Sequence, residues 1–375
     1  MAGIYIHIPF CRQKCYYCDF YKTVNTGYTD AFIAALKKEM ELRYSFLNDK
    51  QIKTIYFGGG TPSVLNEAQL SAVLHKLRSH FNIHPNAEIT FEANPDDLSI
   101  TYLQMLKRTG INRLSIGIQS FQETHLKKMN RRHHAGQSTE SVLNAVNAGF
   151  NNISADLIYG LPEMSSKQWE ASLIKTFSLP VDHLSAYHLT YHKGTPFYTW
   201  LKKGTLKELH ENESINQFNI LMDMAEKAGF EQYEISNFAK NNKYSLHNTS
   251  YWNGTVYLGL GPSAHSYNMS IRRWNIAHLD SYIKAVNNNM AFSEEEVLTE
   301  IDKFNDYIIT GIRTKWGVSL EFAEQNFGTE KAQILEKRIQ KYIHSGKVTD
   351  KTGIYTITRE GLFVSDHIIA DLIII

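Results

Sequence analysis

Ile4-Tyr5-Ile6-His7-Ile8-Pro9-Phe10-Cys11-Arg12-Gln13-Lys14-Cys15-Tyr16-Tyr17-Cys18 is a short β-rich run that feeds straight into a loop of cysteines. The pattern of an apolar run ending in reactive or glycine-rich residues then repeats. Ile52 to Phe57, Glu88 to Glu92, Leu114 to Ile118, Ile153 to Tyr159 and His183 to Leu189 are the later runs. Between them lie helix-period stripes such as Leu70, Val73, Leu74 and Leu77, with Asn66 placed as an N-cap. Gly110 and Gly149 read as helix stops ahead of the next strand. Strands separated by helices must run parallel, because each return crossing is made by the helix.

The fold class expected is therefore α/β. The residues at the end of each run sharpen it: the cysteines after the first, Gly58 to Thr61 after the second, Glu92 and Asn94 at the third, Gln119 and Ser120 at the fourth. Asp156 lies on the fifth, and Tyr187, His188 and Thr190 end the sixth. Polar groups at the C-terminal ends of successive parallel strands are the layout of a (β/α) barrel, here a partial (β/α)6, TIM-like one. An open doubly wound sheet would gather them at one switch point.

Past about residue 192 the rhythm changes. A helix is expected from about Asn212 to Ala228, a strand at Tyr233 to Ile235, an aromatic and glycine-rich stretch from Tyr244 to Trp274, and a hairpin from Lys347 to Thr358. The expected division is 1–230 as barrel core, 231–296 as a connecting segment completing the barrel side, and 297–375 as a smaller C-terminal α+β domain.

The chain has 375 residues, 39 basic against 38 acidic, for a net charge of +1. That near balance offers no field to recruit nucleic acid or an anionic membrane. No apolar stretch reaches the roughly 20 residues of a membrane span, and the N-terminus lacks a signal-peptide pattern, so a cytoplasmic location is expected. The only cysteines are Cys11, Cys15 and Cys18. Such clustering asks for a metal or an iron–sulfur cluster rather than disulfides. Three thiolates on one loop can hold three irons of a [4Fe-4S] cluster and leave the fourth iron open to a substrate. The competing reading is a zinc site with His7 as fourth ligand.

The cysteine loop, together with Ile55-Tyr56-Phe57-Gly58-Gly59-Gly60-Thr61-Pro62, resembles the radical S-adenosylmethionine superfamily. With Asp156-Leu157-Ile158-Tyr159-Gly160-Leu161-Pro162 and Gly259 to His265 it resembles, over essentially the whole chain, the oxygen-independent coproporphyrinogen III oxidase family. The resemblance implies S-adenosylmethionine contacts at Tyr5, Tyr17, Gly59, Gly60, Thr61, Glu92, Gln119, Arg131, Asp156, Thr190 and His265. It also implies a flavodoxin or ferredoxin as electron donor, and a homodimer is possible.

Two departures from the oxidases stand out. Phe20 occupies the position of their fourth cysteine, and Cys11 lies almost at the start, without their N-terminal extension. With His247-Asn248-Thr249-Ser250-Tyr251-Trp252 these features resemble the HemW-type, heme-chaperone branch. That resemblance implies heme as cargo, acceptor hemoproteins as partners, and heme contacts at His247, Asn248, Tyr251 and Trp252 on an exposed loop. An aromatic loop that merely covers the barrel is the plainer reading of those six residues. The rival activity is oxidative decarboxylation of two propionates of coproporphyrinogen III to give protoporphyrinogen IX. An RNA-modifying enzyme would want further cluster cysteines or a basic module, and the chain shows neither.

Overall fold

Strand β1 (Ala2–Ile8) carries alternating Ile4, Ile6 and Ile8, all fully buried, and it lies near the middle of a twelve-stranded sheet. The computed structural model describes residues 1–48 and 50–374. From β1 the sheet proceeds in chain order through β2 (Ile52–Gly59), β3 (Ile83–Ala93), β4 (Arg113–Gln119), β5 (Ile153–Tyr159) and β6 (His183–His188), every neighbouring pair parallel. The crossings are made by α1 (Thr29–Leu42), α2 (Glu67–His80), α3 (Ile100–Thr109), α4 (Glu123–Lys128) with α5 (Ala135–Asn147), and α6 (Ser166–Ser178). Asn66 caps α2 in a reciprocal box with Gln69, and α3 ends at Gly110 with φ 103°, a left-handed turn that glycine adopts without strain.

Helices α7 (Pro196–Lys202) and α8 (Glu211–Lys227) come next, and the sheet then grows at both edges. β7 (Glu231–Gln232) and β8 (Asn237–Ala239) form an antiparallel pair on β6. Tyr233 to Ile235 is not a strand, because it makes the turn between those two. After α9 (Leu246–Trp252), strand β9 (Val256–Leu260) returns to pair parallel with β1 on the side away from β2. It adds a seventh parallel strand to the expected six. β10 (His265–Tyr267), β11 (Ile271–Asn275), α10 (Leu279–Asn287) and β12 (Ser293–Val297) extend that edge antiparallel.

One buried carboxylate ties this edge to the barrel's helical layer. Glu39 of α1 accepts from Gly261 N at 2.7 Å, Asn275 Nδ2 at 2.6 Å and Tyr282 hydroxyl at 2.6 Å. Burial raises its pKa to about 7, against the pull of those donors.

A second hydrophobic core gathers Phe304, Ile308, Ile312, Leu335, Ile339, Ile368 and Leu372. It comprises α11 (Glu300–Gly311), α12 (Leu320–Phe327), α13 (Thr329–His344), α14 (Arg359–Leu362) and α15 (Ser365–Leu372), around a small sheet ordered β13 (Val318–Ser319), β15 (Ile354–Ile357), β14 (Val348–Lys351). Arg359 fastens this unit to α8, reaching Asp223 at 2.5 Å and Asn219 Oδ1 at 2.9 Å. Arg272 of β11 likewise bonds Asp306 of α11.

Candidate functional site

Parallel strands aim all their C-terminal ends at one rim, and there the structure opens a cavity of about 410 Å³. Cys11, Cys15 and Cys18 line it on the loop after β1, and none is disulfide-bonded. The glycine segment continues the β1–β2 pairing toward that loop. Gly60 N donates to Ile8 O at 2.8 Å and Thr61 N to Phe10 O at 2.7 Å, while the Thr61 hydroxyl donates to Cys11 Sγ at 3.3 Å. A Cβ on Gly60 would stand 2.7 Å from both the Ile8 and Phe10 carbonyl oxygens, which is why only glycine serves. Gly59 has φ 98°, and a side chain there would strike the His7 ring.

Across the rim Arg131 reaches from the turn after α4. Its Nη1 donates to Cys15 Sγ at 3.4 Å and its Nη2 to Asn94 Oδ1 and Gly117 O, each at 2.6 Å. Gln119 ends β4 with φ 64°, an uncommon conformation for a side-chain-bearing residue and one that re-aims the strand end at the site.

Below the rim the cavity narrows between carboxylates. Glu92 accepts from the Tyr56 hydroxyl at 2.7 Å, and Asp156 accepts from Ser115 at 2.9 Å and from Ser154 at 3.1 Å. Burial lifts the Glu92 pKa to about 7 despite the Tyr56 hydrogen bond, and Asp156, facing serine hydroxyls, is raised as well. Arg113, fully buried on β4, lines the lower cavity, with no partner for its Nε and Nη2 among the described residues.

Of the expected S-adenosylmethionine contacts, Tyr17, Gly59, Gly60, Thr61, Glu92, Gln119, Arg131, Asp156 and Thr190 line the cavity. Tyr5 does not. Its ring packs beside both Tyr56 and His247, and its hydroxyl meets His7 Nδ1 at 3.2 Å. His265 lies outside the lining as well, on the antiparallel β10, exposed and stacked near Trp274. Tyr56, Arg113, Ser115 and Ser185 were not singled out from the sequence. Their signal was there in the period-two alternation of Arg113, Ser115 and Gly117 along β4, which turns every second residue inward.

The six residues from His247 to Trp252 are corrected more sharply. They are not an exposed loop but the body of α9, lodged against the N-terminal side of the barrel interior. Ser245 and the Glu88 carboxylate cap it, Glu88 accepting from Leu246 N and His247 N, each at 3.1 Å. His247 is 1% exposed, with Nδ1 bonded to Thr54 Oγ1 and Nε2 to Tyr251 hydroxyl, both at 2.8 Å. Its ring stacks on Tyr56 at 5.2 Å, and burial lowers its pKa to about 3, so it is neutral. Of the expected heme contacts only Asn248 lines the cavity.

The zinc alternative fails on His7. Its Nε2 donates to Tyr21 O at 2.8 Å and its Nδ1 faces Tyr5, so neither nitrogen is available as a fourth ligand. Free thiols on one cavity wall, with Thr61 and Arg131 donating to two of the sulfurs, suit a thiolate-bound cluster.

Comparison with known proteins agrees. Residues 5–202 match the radical SAM superfamily model, and residues 298–364 match the HemN C-terminal domain. The protein of Bacillus subtilis (strain 168) named Heme chaperone HemW is 32% identical over 371 residues, 98% of each chain. Its namesake in Lactococcus lactis subsp. lactis (strain IL1403) is 34% identical over 365 residues, 97% of this chain and 95% of that one. The chain belongs to the HemW family of radical SAM proteins. The fold of this HemW-family chain also superposes on the Escherichia coli coproporphyrinogen III oxidase HemN. The TM-score is 0.86 at 24% identity, with 99% of this chain and 89% of the other covered.

Family membership brings a [4Fe-4S] cluster and S-adenosylmethionine as cofactors. When bound, such a cluster supplies single electrons for reductive cleavage of the sulfonium of S-adenosylmethionine. This chain's own residues furnish the surroundings. Arg131 and Thr61 donate to the sulfurs, Gly59 and Gly60 present backbone to the cavity, and the paired carboxylates offer acceptors to ligand hydroxyls.

Proposed function

We infer that this protein is a heme chaperone, binding heme and passing it to acceptor hemoproteins, with a [4Fe-4S] cluster and S-adenosylmethionine as its resident cofactors. The observation that carries this reading is the likeness, at 32–34% identity over nearly the whole chain, to proteins named for that role. Phe20 supports it, since it replaces the additional cysteine expected of the decarboxylating oxidases.

The cluster is assigned to Cys11, Cys15 and Cys18. S-adenosylmethionine is assigned to the cavity wall from Tyr17 through the glycine segment to Glu92, Gln119, Arg131, Asp156 and Thr190. Electrons come from a flavodoxin- or ferredoxin-type donor, and the compartment is the cytoplasm. Among the described residues no helix is long and apolar enough to cross a membrane.

The test sets two assays on anaerobically reconstituted protein side by side. Stoichiometric heme binding, with no multiple-turnover conversion of coproporphyrinogen III, is the expected result. Repeated turnover to protoporphyrinogen IX would replace the chaperone by the oxidase.

A further inference from the structure

We propose that Lys22 tunes the reduction potential of the cluster: its ammonium, which no carboxylate neutralises, stands beside Cys18 and favours the reduced form. The proposal rests on the assignment of a [4Fe-4S] cluster to Cys11, Cys15 and Cys18. It gives a role to a residue that the S-adenosylmethionine and heme contacts leave out.

Each cysteine has a polar group of its own. The Thr61 hydroxyl donates to Cys11 Sγ at 3.3 Å, and Arg131 Nη1 donates to Cys15 Sγ at 3.4 Å. Cys18 is served by Lys22, whose Nζ donates to Cys18 O at 2.6 Å and to Phe20 O at 3.1 Å. Those two bonds fold the side chain back over the cysteine loop, and Lys22 joins Cys18 in the cavity wall. Burial pushes the Cys18 thiol up, and the Lys22 ammonium draws it back by charge and by hydrogen bonding.

Lys22 also lacks a counter-charge. Among the described residues its ammonium bonds two backbone carbonyls and pairs with no carboxylate. Asp19, the acidic residue nearest to it in sequence, lies instead 3.3 Å from His192 Nδ1. Lys22 is partly buried, so water screens its charge only in part. A cation left with carbonyl dipoles alone has charge to offer to whatever sits beside it.

Three thiolates outweigh the positive charge of an oxidised cluster core, and the electron that reduces the cluster adds one more negative charge. A cation beside the sulfurs stabilises that added charge, and net charge and hydrogen bonding at the sulfurs are what set the potential of such clusters. Lys22 therefore moves the midpoint upward, so that a milder one-electron donor suffices, the donor losing the single electron that the cluster gains. Arg131 acts in the same sense, but it also belongs to the wall assigned to S-adenosylmethionine. Lys22 is the residue at which charge can be tested by itself.

Full-length protein, reconstituted anaerobically and free of S-adenosylmethionine, is titrated with dithionite in the presence of redox mediators, and the reduced cluster is followed by electron paramagnetic resonance. Lys22→Gln keeps an amide that can donate to the Cys18 and Phe20 carbonyls and removes the charge. It is expected to hold wild-type iron and sulfide with a midpoint shifted to more negative potential. Lys22→Arg, which restores a cation, should bring the midpoint back toward the wild-type value. A Lys22→Gln variant with full iron and an unshifted midpoint overturns the proposal. Loss of iron from Lys22→Gln overturns it too, by showing that Lys22 serves only to staple the loop. A wild type that assembles no [4Fe-4S] cluster overturns instead the cluster assignment on which the proposal rests.

Discussion

Glu92 illustrates how one residue's surroundings set its chemistry. Its pKa is raised from 4.5 to about 7 by burial, with Tyr56 donating to it and Asp156 adding repulsion. A carboxyl that holds its proton longer folded than unfolded costs stability as pH rises, beginning near 4.5 and complete above about 7. Without cofactors, Glu92→Gln should therefore gain on the wild type by on the order of 2–3 kcal/mol between pH 4.5 and pH 8, read from denaturant midpoints at each pH. A difference independent of pH would show that Glu92 is already ionised in the folded protein. His247 carries a different expectation. Truncation to Ala leaves the Thr54 and Tyr251 hydroxyls unpaired and a cavity beneath Tyr56, so unfolding free energy should fall by about 2–4 kcal/mol. A surface residue would shift it by less than about 0.5 kcal/mol. The burial of His247 could not be read from its neighbours in sequence, because the groups that engage it, Thr54 and Glu88, lie on strands far upstream. The cysteines and Glu92 were legible because they stand where β-rich runs end, a purely local signal, and Asp156 because it is a lone carboxylate within such a run; their role toward S-adenosylmethionine came from the family resemblance.

At the scale of elements, the glycine-rich end of β2 decides whether the cysteine loop can form. Gly60→Ala would force a methyl against two backbone carbonyl oxygens that cannot move without parting β2 from the segment leading to Cys11. Reconstituted Gly60→Ala should retain clearly less iron than wild type and lose about 1–3 kcal/mol of stability. Iron content and thermal midpoint both at wild-type values would mean that the backbone there is more accommodating than its spacing shows. The six expected runs became β1 to β6 because each is a short β-rich stretch set between helix-period segments, with one set of alternate residues packed under the helices and the other turned to the barrel interior. β3 extends back to Ile83, through exposed Pro85 and Asn86, residues whose types argue against a strand. β9 escaped notice for another reason: Val256 to Leu260 contains Gly259 and gains its place only by pairing with a strand at the other end of the chain. Tyr233 to Ile235 has β-forming residues, yet it turns because the antiparallel pairing of β7 and β8 brackets it.

For the molecule as a whole, two hydrophobic cores meet through aromatic contacts such as Phe218 on Phe363 at 5.3 Å and through polar clamps, and those clamps carry a prediction of their own. Arg359 is partly exposed, so water screens its bonds to Asp223 and Asn219, but they are directed. Arg359→Ala should raise hydrogen exchange in α8 and in residues 359–372, while β1 to β6 keep their protection. Equal loosening of those strands would mean the two cores unfold as one cooperative unit. Finally, the placing of β1 between β2 and β9 has a consequence during synthesis. The cysteine loop leaves the ribosome soon after β1, yet the strand that completes its far flank emerges about 250 residues later, a wait of roughly 12–50 s at ordinary elongation rates. Until then β2 is the only parallel neighbour available to β1. Its second parallel neighbour, and with it that side of the barrel, can be set in place only after nearly the whole barrel has been synthesised.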